Sequence, residues 1–264
     1  MKTYSDIMAA FLASGPDYVA DLPDNWKQGR TAFGGLTTTL LAAAIAAENP
    51  DLPPLRTAQI NFIGPAVDQL SVSHKLQRKG KNNVTFSAEL NSPIGAGTHG
   101  IFTYGVSREL PREVDYPLKE ITVKPDDAET FFPKHPDAPT FLQNLDRRLI
   151  SGPRFMEGAD NPDVLMWARL TDPESWDKGL MPLLVLADTP PAALTFFDGP
   201  VRALSSMNWN MNFLTDKLET EDGWWLMRSA TRHVRQGYSS QLTQVWNSEG
   251  RRIMDAMQLQ AVFA

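Results

Sequence analysis

The sequence predicts an α+β protein in which one unit, a buried helix wrapped by an antiparallel sheet, occurs twice. Three observations predict it. Residues 31–49 (TAFGGLTTTLLAAAIAAEN) are apolar nearly all round, which is the mark of a helix buried on every side. Four runs of strand-like alternation follow it, separated by turns rich in Gly, Pro, Asn and Asp. The order strand, helix, alternating strands then returns in the second half of the chain, the pattern of an internal duplication.

Taken in order, residues 4–13 read as a short amphipathic helix with Ile7, Met8, Phe11 and Leu12 on one side. Residues 18–22 read as a short strand. In the buried helix, Leu36, Leu40 and Ala44 keep helical spacing, and Pro50 disfavours helical geometry at Asn49. Gly34 and Gly35 let another segment or a ligand approach its first turn, whose N–H groups have no partner inside the helix. Residues 56–63, 69–78, 83–90 and 98–106 are the four strand candidates. Gly95 to Gly100 fits GxGxxG but precedes a strand-like run instead of opening a helix, so it reads as a hairpin loop, not a dinucleotide site.

Residues 111–160 change character. Residues 110–145 are rich in Pro, Asp, Glu and Lys and read as a linker across the surface, where Phe131, Phe132 and Phe141 either pin it down or cover a groove. The expected division is therefore 1–110, a linker over 111–160, and 161–264. In the second part, 164–170 reads as a strand and 180–197 as an apolar helix interrupted at Pro190-Pro191. Residues 202–214, 223–232, 238–247 and 252–263 read as strands. Ile60-Asn61-Phe62-Ile63 echoes Met211-Asn212-Phe213-Leu214.

Composition excludes several functions. A net charge of −6 and a pI near 5.3 argue against nucleic acid as a partner, because phosphate binding needs a basic surface. The chain has no cysteine, hence no thiolate nucleophile and no cysteine metal site. The four histidines, His74, His99, His135 and His233, are scattered without metal-ligand spacing, so neither a metal nor a cofactor is expected. No run suits a signal peptide or a membrane span, and the protein reads as cytoplasmic.

Two anomalies point to chemistry. Asp188 sits inside the apolar run LLVLADTPPAALTFF, where a carboxylate is costly to bury unless paired. It is a candidate base, or else a cap at the helix break. The second anomaly is polar residues on strands. Period two places Ser206, Asn208, Asn210 and Asn212 on one face, and Gln258 with Gln260 on another. These rows face either solvent or the buried helix.

The stretches AFGGLTTTLLAAAIAA, INFIGPA and LQRKGKNNVTFSAEL, with the duplicated helix-and-sheet unit, resemble the bacterial acyl-CoA thioesterase II (TesB-like) family. The resemblance implies two tandem hotdog domains and hydrolysis of acyl-CoA to free acid and coenzyme A. It implies a water activated by Asp188, by Ser206 where the family carries Thr or Ser, and by Gln258 on the last strand after Glu249-Gly250. Gly34 and Gly35 would then bind the thioester carbonyl, and Arg78, Lys79 and Lys81, or Arg228, Arg232 and Arg235, the phosphates of coenzyme A. The chain departs from the family at Leu36, where Gln is usual, and at Asn208-Trp209, where an acidic residue and His are usual. Those departures bear on substrate preference. They also keep open a non-catalytic acyl-ligand-binding protein of the same fold. A hotdog hydratase needs a His near a helix, and neither helix has one. An exposed sheet edge in each half suggests a homo-oligomer.

Overall fold

A computed structural model describes residues 1–116, 118, 121–131, 138–190, 192–199 and 201–263. Phe132, His135 and Pro191, named above, lie outside the described residues. Helix α1 (Tyr4–Ala13) begins with a capping box between Thr3 and Asp6, which satisfies two N–H groups of the entry turn. It buries Tyr4, Ile7, Met8 and Phe11, while Leu12, expected on that side, faces solvent. Strand β1 (Val19–Asp21) and the small hairpin of β2 (Lys27–Gln28) and β3 (Thr31–Ala32) lead into α2 (Gly34–Glu48). From Gly35 to Ile45 every residue of α2 is buried. Burying Leu36, Leu40, Leu41 and Ile45 contributes about 2 kcal/mol each.

Strands β4 (Leu55–Phe62), β5 (Gln69–Lys79), β6 (Asn83–Ser92) and β7 (Gly95–Gly105) complete the first half. The GxGxxG stretch, expected as a loop, belongs to β7, and the hairpin turns at Pro93-Ile94. Gly97 and Gly100 are there for packing, whereas Gly95 has open space beside it and a φ of +120° that favours glycine at the hairpin. A Cβ at Gly100 would lie 2.6 Å from Phe102 and 2.9 Å from Ile60.

The second half begins earlier than the composition of 111–160 suggests. Strand β8 (Glu129–Thr130) pairs with β9 (Leu145–Ser151), which pairs with β10 (Asp163–Leu170). The charged residues of β9 hid it: Arg148 and Arg169 both engage Asp146, and Arg147 packs over the Phe131 ring. Helices α3 (Leu180–Ala187) and α4 (Ala192–Phe196) follow, then β11 (Ala203–Phe213), β12 (Trp225–Arg235), β13 (Tyr238–Trp246) and β14 (Arg252–Phe263).

Among the described residues, all strands except β2 and β3 form one sheet of twelve, in the order β1-β5-β6-β7-β4-β11-β14-β13-β12-β10-β9-β8. The halves join edge to edge through β4 and β11. Their ladder pairs Asn61 with Asn208 and Thr57 with Asn212 about the central pair Gln59–Asn210. A two-fold axis through that pair exchanges Ile60 with Met211 and Asn61 with Asn212, which is the echo visible in the sequence. The junction consumes the inner edge of each half. The outermost strands are β1 and β8, three and two residues long; β1 pairs only with Gln69–Ser71, so the rest of β5 is left as an edge of the sheet.

Helices α2 and α3 share one core beneath the sheet. They pack closely because Gly35 has no side chain: a Cβ there would come within 2.5 Å of the Val185 carbonyl oxygen. The Thr39 hydroxyl donates to the Met181 carbonyl across the same contact at 3.2 Å. The segment that the two glycines admit is thus the helix of the other half.

Candidate active site

Asp188 ends α3, and the residues after it break away before α4 begins. Its carboxylate crosses to the other half. A Cβ on Gly34 would lie 2.7 Å from Asp188 Oδ2 and 2.9 Å from the Phe62 ring, so glycine is needed at the start of α2 for the carboxylate to fit. The Gly35 N–H hydrogen-bonds the carboxylate, and an anion is favoured at a helix N-terminus. From the sheet side, Gln258 Nε2 donates to Asp188 Oδ1 at 2.8 Å and to Ser206 Oγ at 2.7 Å. Gln260 Nε2 donates to Gln258 Oε1 at 3.1 Å. That last bond fixes which end of the Gln258 amide faces Asp188.

Burial in an apolar helix end pushes the Asp188 carboxyl up to about 7, against the opposing pull of the Gln258 amide and the Gly35 N–H. The group therefore exchanges its proton near neutrality, which suits a general base. Asp188 and Ser206 are only half-buried, whereas Gln258 and Gln260 are buried.

A break in the strand brings Ser206 to the site. The β11–β14 register shifts between Ser206 and Asn208, a β-bulge that reverses the alternation. Beyond it Trp209, Met211 and Phe213 point into the core, while Asn212 is exposed. The single polar face expected for Ser206, Asn208, Asn210 and Asn212 is therefore wrong: Ser206 shares the inner face with Trp209. Trp209 packs in the core, and the Asn208 side chain accepts from the Leu259 N–H at 3.3 Å.

Of the expected site residues, Asp188, Ser206, Gln258, Gly34 and Gly35 come together. Arg78 and Lys81 do not. They line a cleft of about 370 Å³ with Asn82 and Asn83 at the β5–β6 hairpin. Asn83 pairs with Gly105, whose neighbour Tyr104 pairs with Leu55 at the start of β4. Asp188 lies at the other end of β4, by Phe62, about 24 Å away along the strand. In the second patch, the Arg228 guanidinium is engaged by Asp163 at 2.9 Å. Sequence reasoning passed over Ser239 and Gln241, which are buried on β13 opposite Gln260 and Gln258. Their signal was the alternation of Ser239, Gln241, Thr243 and Val245, a polar row ending on an apolar residue.

Models of an acyl-CoA thioesterase N-terminal domain and C-terminal domain match residues 22–105 and 121–262. No curated protein sequence matches. Among solved structures, a hot dog fold protein of unknown function from Alicyclobacillus acidocaldarius is 20% identical, with a TM-score of 0.83 over 95% of this chain and 94% of that one. The tesB protein of Mycobacterium avium subspecies paratuberculosis is 14% identical, with a TM-score of 0.72 over 97% and 98%. Acyl-CoA thioesterase II TesB2 of Mycobacterium marinum is 15% identical, with a TM-score of 0.69 over 93% and 92%. These likenesses establish the tandem hotdog fold. Among the described residues, no helix is long and apolar enough to cross a membrane.

Proposed function

This chain belongs to the acyl-CoA thioesterase family, and we propose that it hydrolyses acyl-CoA thioesters with Asp188 as the base for an attacking water. The observation that carries the reading is the convergence of Asp188, Gln258 and Ser206 at the first turn of α2.

The parts have separate roles. Ionised Asp188 takes a proton from water as the water oxygen bonds to the thioester carbonyl carbon. The carbonyl oxygen becomes an oxyanion and is held at the start of α2, where the Gly34 N–H meets no acceptor among the described residues. The tetrahedral intermediate then collapses, the C–S bond breaks, and Asp188 returns its proton to the departing thiolate. The products are a free acid and coenzyme A. Gln258 directs its amide hydrogens to Asp188 and Ser206, and so fixes both. The Ser206 oxygen is an acceptor in that bond, which leaves its hydroxyl hydrogen to orient the water. No covalent acyl-enzyme is needed, in keeping with the lack of cysteine.

The test is thiol release from a panel of acyl-CoAs, short, long and aromatic, with Asp188→Ala beside the native chain. Turnover that disappears in a folded variant supports the reading. Tight acyl-CoA binding without turnover on any ester points instead to a binding protein. Turnover unchanged by the substitution removes Asp188 from the mechanism.

A further inference from the structure

The start of α2 holds two buried hydroxyls that the mechanism above leaves unused. Thr37, 1% exposed, donates its hydroxyl hydrogen to the Gly34 carbonyl at 2.9 Å. Thr98, 3% exposed, lies on β7 within the GxGxxG stretch and donates to the Thr37 oxygen at 3.0 Å. A threonine hydroxyl has one hydrogen. Thr37 spends its own on Gly34, so the direction of the Thr98 bond is fixed. Burying hydroxyls in an apolar core is costly unless they are bonded, and here the bonds form a chain that ends on a backbone carbonyl.

That carbonyl belongs to the peptide group whose N–H is the one of Gly35, and the Gly35 N–H holds the Asp188 carboxylate. A hydrogen bond accepted at one end of a peptide group polarises it and strengthens the bond donated at the other. The order is therefore Thr98 hydroxyl, Thr37 hydroxyl, Gly34–Gly35 peptide, Asp188. A threonine that bonds back onto its own helix is common. The second hydroxyl, brought in from the sheet, has no such local reason.

The fold does not require it. Phe62 pairs with Thr98 in the first half, and Phe213 pairs with Met254 in the second. The two-fold that exchanges β4 with β11 superposes those pairs, so Met254 stands where Thr98 stands. Helix α3 (LMPLLVLA) has no hydroxyl at all. The relay is thus built only at the helix start that meets the carboxylate. Among the described residues no charged side chain acts on Asp188 beside it. Helix α3 and strands β11 and β13 carry none, and Glu48 ends α2 at its far end. Arg56 lies at the other end of β4, Arg252 and Asp255 bond each other on β14, and His99 faces the opposite side of β7 from Thr98.

Resting on the thioesterase reading above, we infer that Thr37 and Thr98 are positioning residues for the reaction: their relay, running from the first half's sheet through the Gly34–Gly35 peptide, orients and strengthens the N–H that holds the Asp188 carboxylate.

The test is the pH dependence of kcat/KM on one hydrolysed acyl-CoA for the native chain, Thr37→Val, Thr98→Val, Thr37→Ser and Thr38→Val. The Gly35 N–H favours the ionised carboxylate, which is the form that takes the proton. Weakening that bond raises the pH at which Asp188 ionises, so Thr37→Val is expected to move the rising limb up by about half a unit. Its rate is then about threefold lower on the acid side and converges on the native rate in alkali. Thr98→Val is expected to move the limb the same way by less, and it carries the test if the helix variant does not fold. Thr37→Ser restores the hydroxyl and with it the native profile. Thr38→Val removes a neighbouring buried hydroxyl that has no partner among the described residues, and is expected to leave the midpoint in place. A midpoint unmoved in Thr37→Val and Thr98→Val, with rate lost equally at every pH or not at all, makes the two threonines packing alone; it overturns the inference and leaves thioesterase activity standing. A midpoint that Thr38→Val moves as far as Thr37→Val overturns it too. Failure of the native chain to hydrolyse any acyl-CoA overturns the thioesterase reading and this inference together.

Discussion

The two halves share a plan and differ where chemistry needs them to. In the first, α2 runs unbroken for 15 residues. In the second, α3 stops after eight, and the chain breaks at Asp188 before α4. The sheets differ in the same way. Both ladders slip at one place, between Leu55 and Thr57 in β4 and between Ser206 and Asn208 in β11, and the two-fold superposes those slips. At matched positions the first half carries Leu55, Phe102 and Phe86, and the second Ser206, Gln258 and Gln241. The bulge belongs to the fold, since both halves have it. The polar set at these three positions belongs to the second half alone, where the proposed site lies. The first half still contributes: its glycines at the start of α2 receive the carboxylate of the second.

The strongest way to break this comparison is Asp188→Asn, which keeps the shape and removes the proposed base. Turnover is expected to fall by about 10²–10⁴-fold. In the native chain kcat/KM should rise with pH through about 7, as the carboxylate ionises. A rate that is flat from acid to alkaline pH would remove Asp188 as the base. Stability runs the opposite way. The folded value of about 7 lies above the ordinary carboxylate value of 3.8, so the stability that this group contributes is complete below the unfolded value and is lost as pH rises through the folded one. Asp188→Asn escapes that loss. Urea melts should show the variant gaining on the native chain between pH 4 and 8, by a few kcal/mol at most.

Gln258→Leu comes next. It converts the second half towards the first, where Phe102 stands. Turnover is expected to fall by about 10²-fold, since Asp188 and Ser206 lose the group that orients them. The fold should survive, because an apolar side chain suits the inner face. A variant with near-native turnover would mean that Gln258 is only packing.

Much of this was legible in the sequence, for identifiable reasons. The buried helix was visible because no charged residue interrupts residues 34–47, and the strands because period two is hard to imitate. Asp188 stood out because a carboxylate in an apolar run needs an explanation. The face of Ser206 was not legible from simple period two, because the bulge shifts it. The trace of that shift is a change of phase: Leu204 and Ser206 are even-numbered, whereas buried Trp209, Met211 and Phe213 are odd. Strand β9 was hidden by charges that pair with each other. Arg78 and Lys81 looked useful as a basic cluster, yet a cluster in sequence does not say which end of a strand it occupies.

Gly35→Ala probes the contact between the halves. The added methyl meets a backbone oxygen, Val185 O, at 2.5 Å, and a backbone atom cannot swing aside. A loss of about 1–3 kcal/mol is expected in urea melts, together with reduced turnover as α3 and its carboxylate are pushed off α2. Full stability with full turnover would show that the close approach of the helices is dispensable.

The smallest effect on turnover is expected from Phe102→Leu, the first-half partner of the Gln258 substitution. Phe102 is fully buried, with the Phe86 side chain directly across on β6. Shortening it should cost about 1–2 kcal/mol, through lost packing that the surroundings only partly refill. Turnover should stay within about twofold, because no hydrogen bond of the site passes through this position. Gln258→Leu and Phe102→Leu thus place the same side chain at two-fold-related sites, with opposite expected outcomes: one loses rate and keeps its fold, the other keeps rate and loses stability. Equal losses of rate in both would mean that the inner face acts in catalysis as a single packed body, and the division of labour between the halves would fall with it.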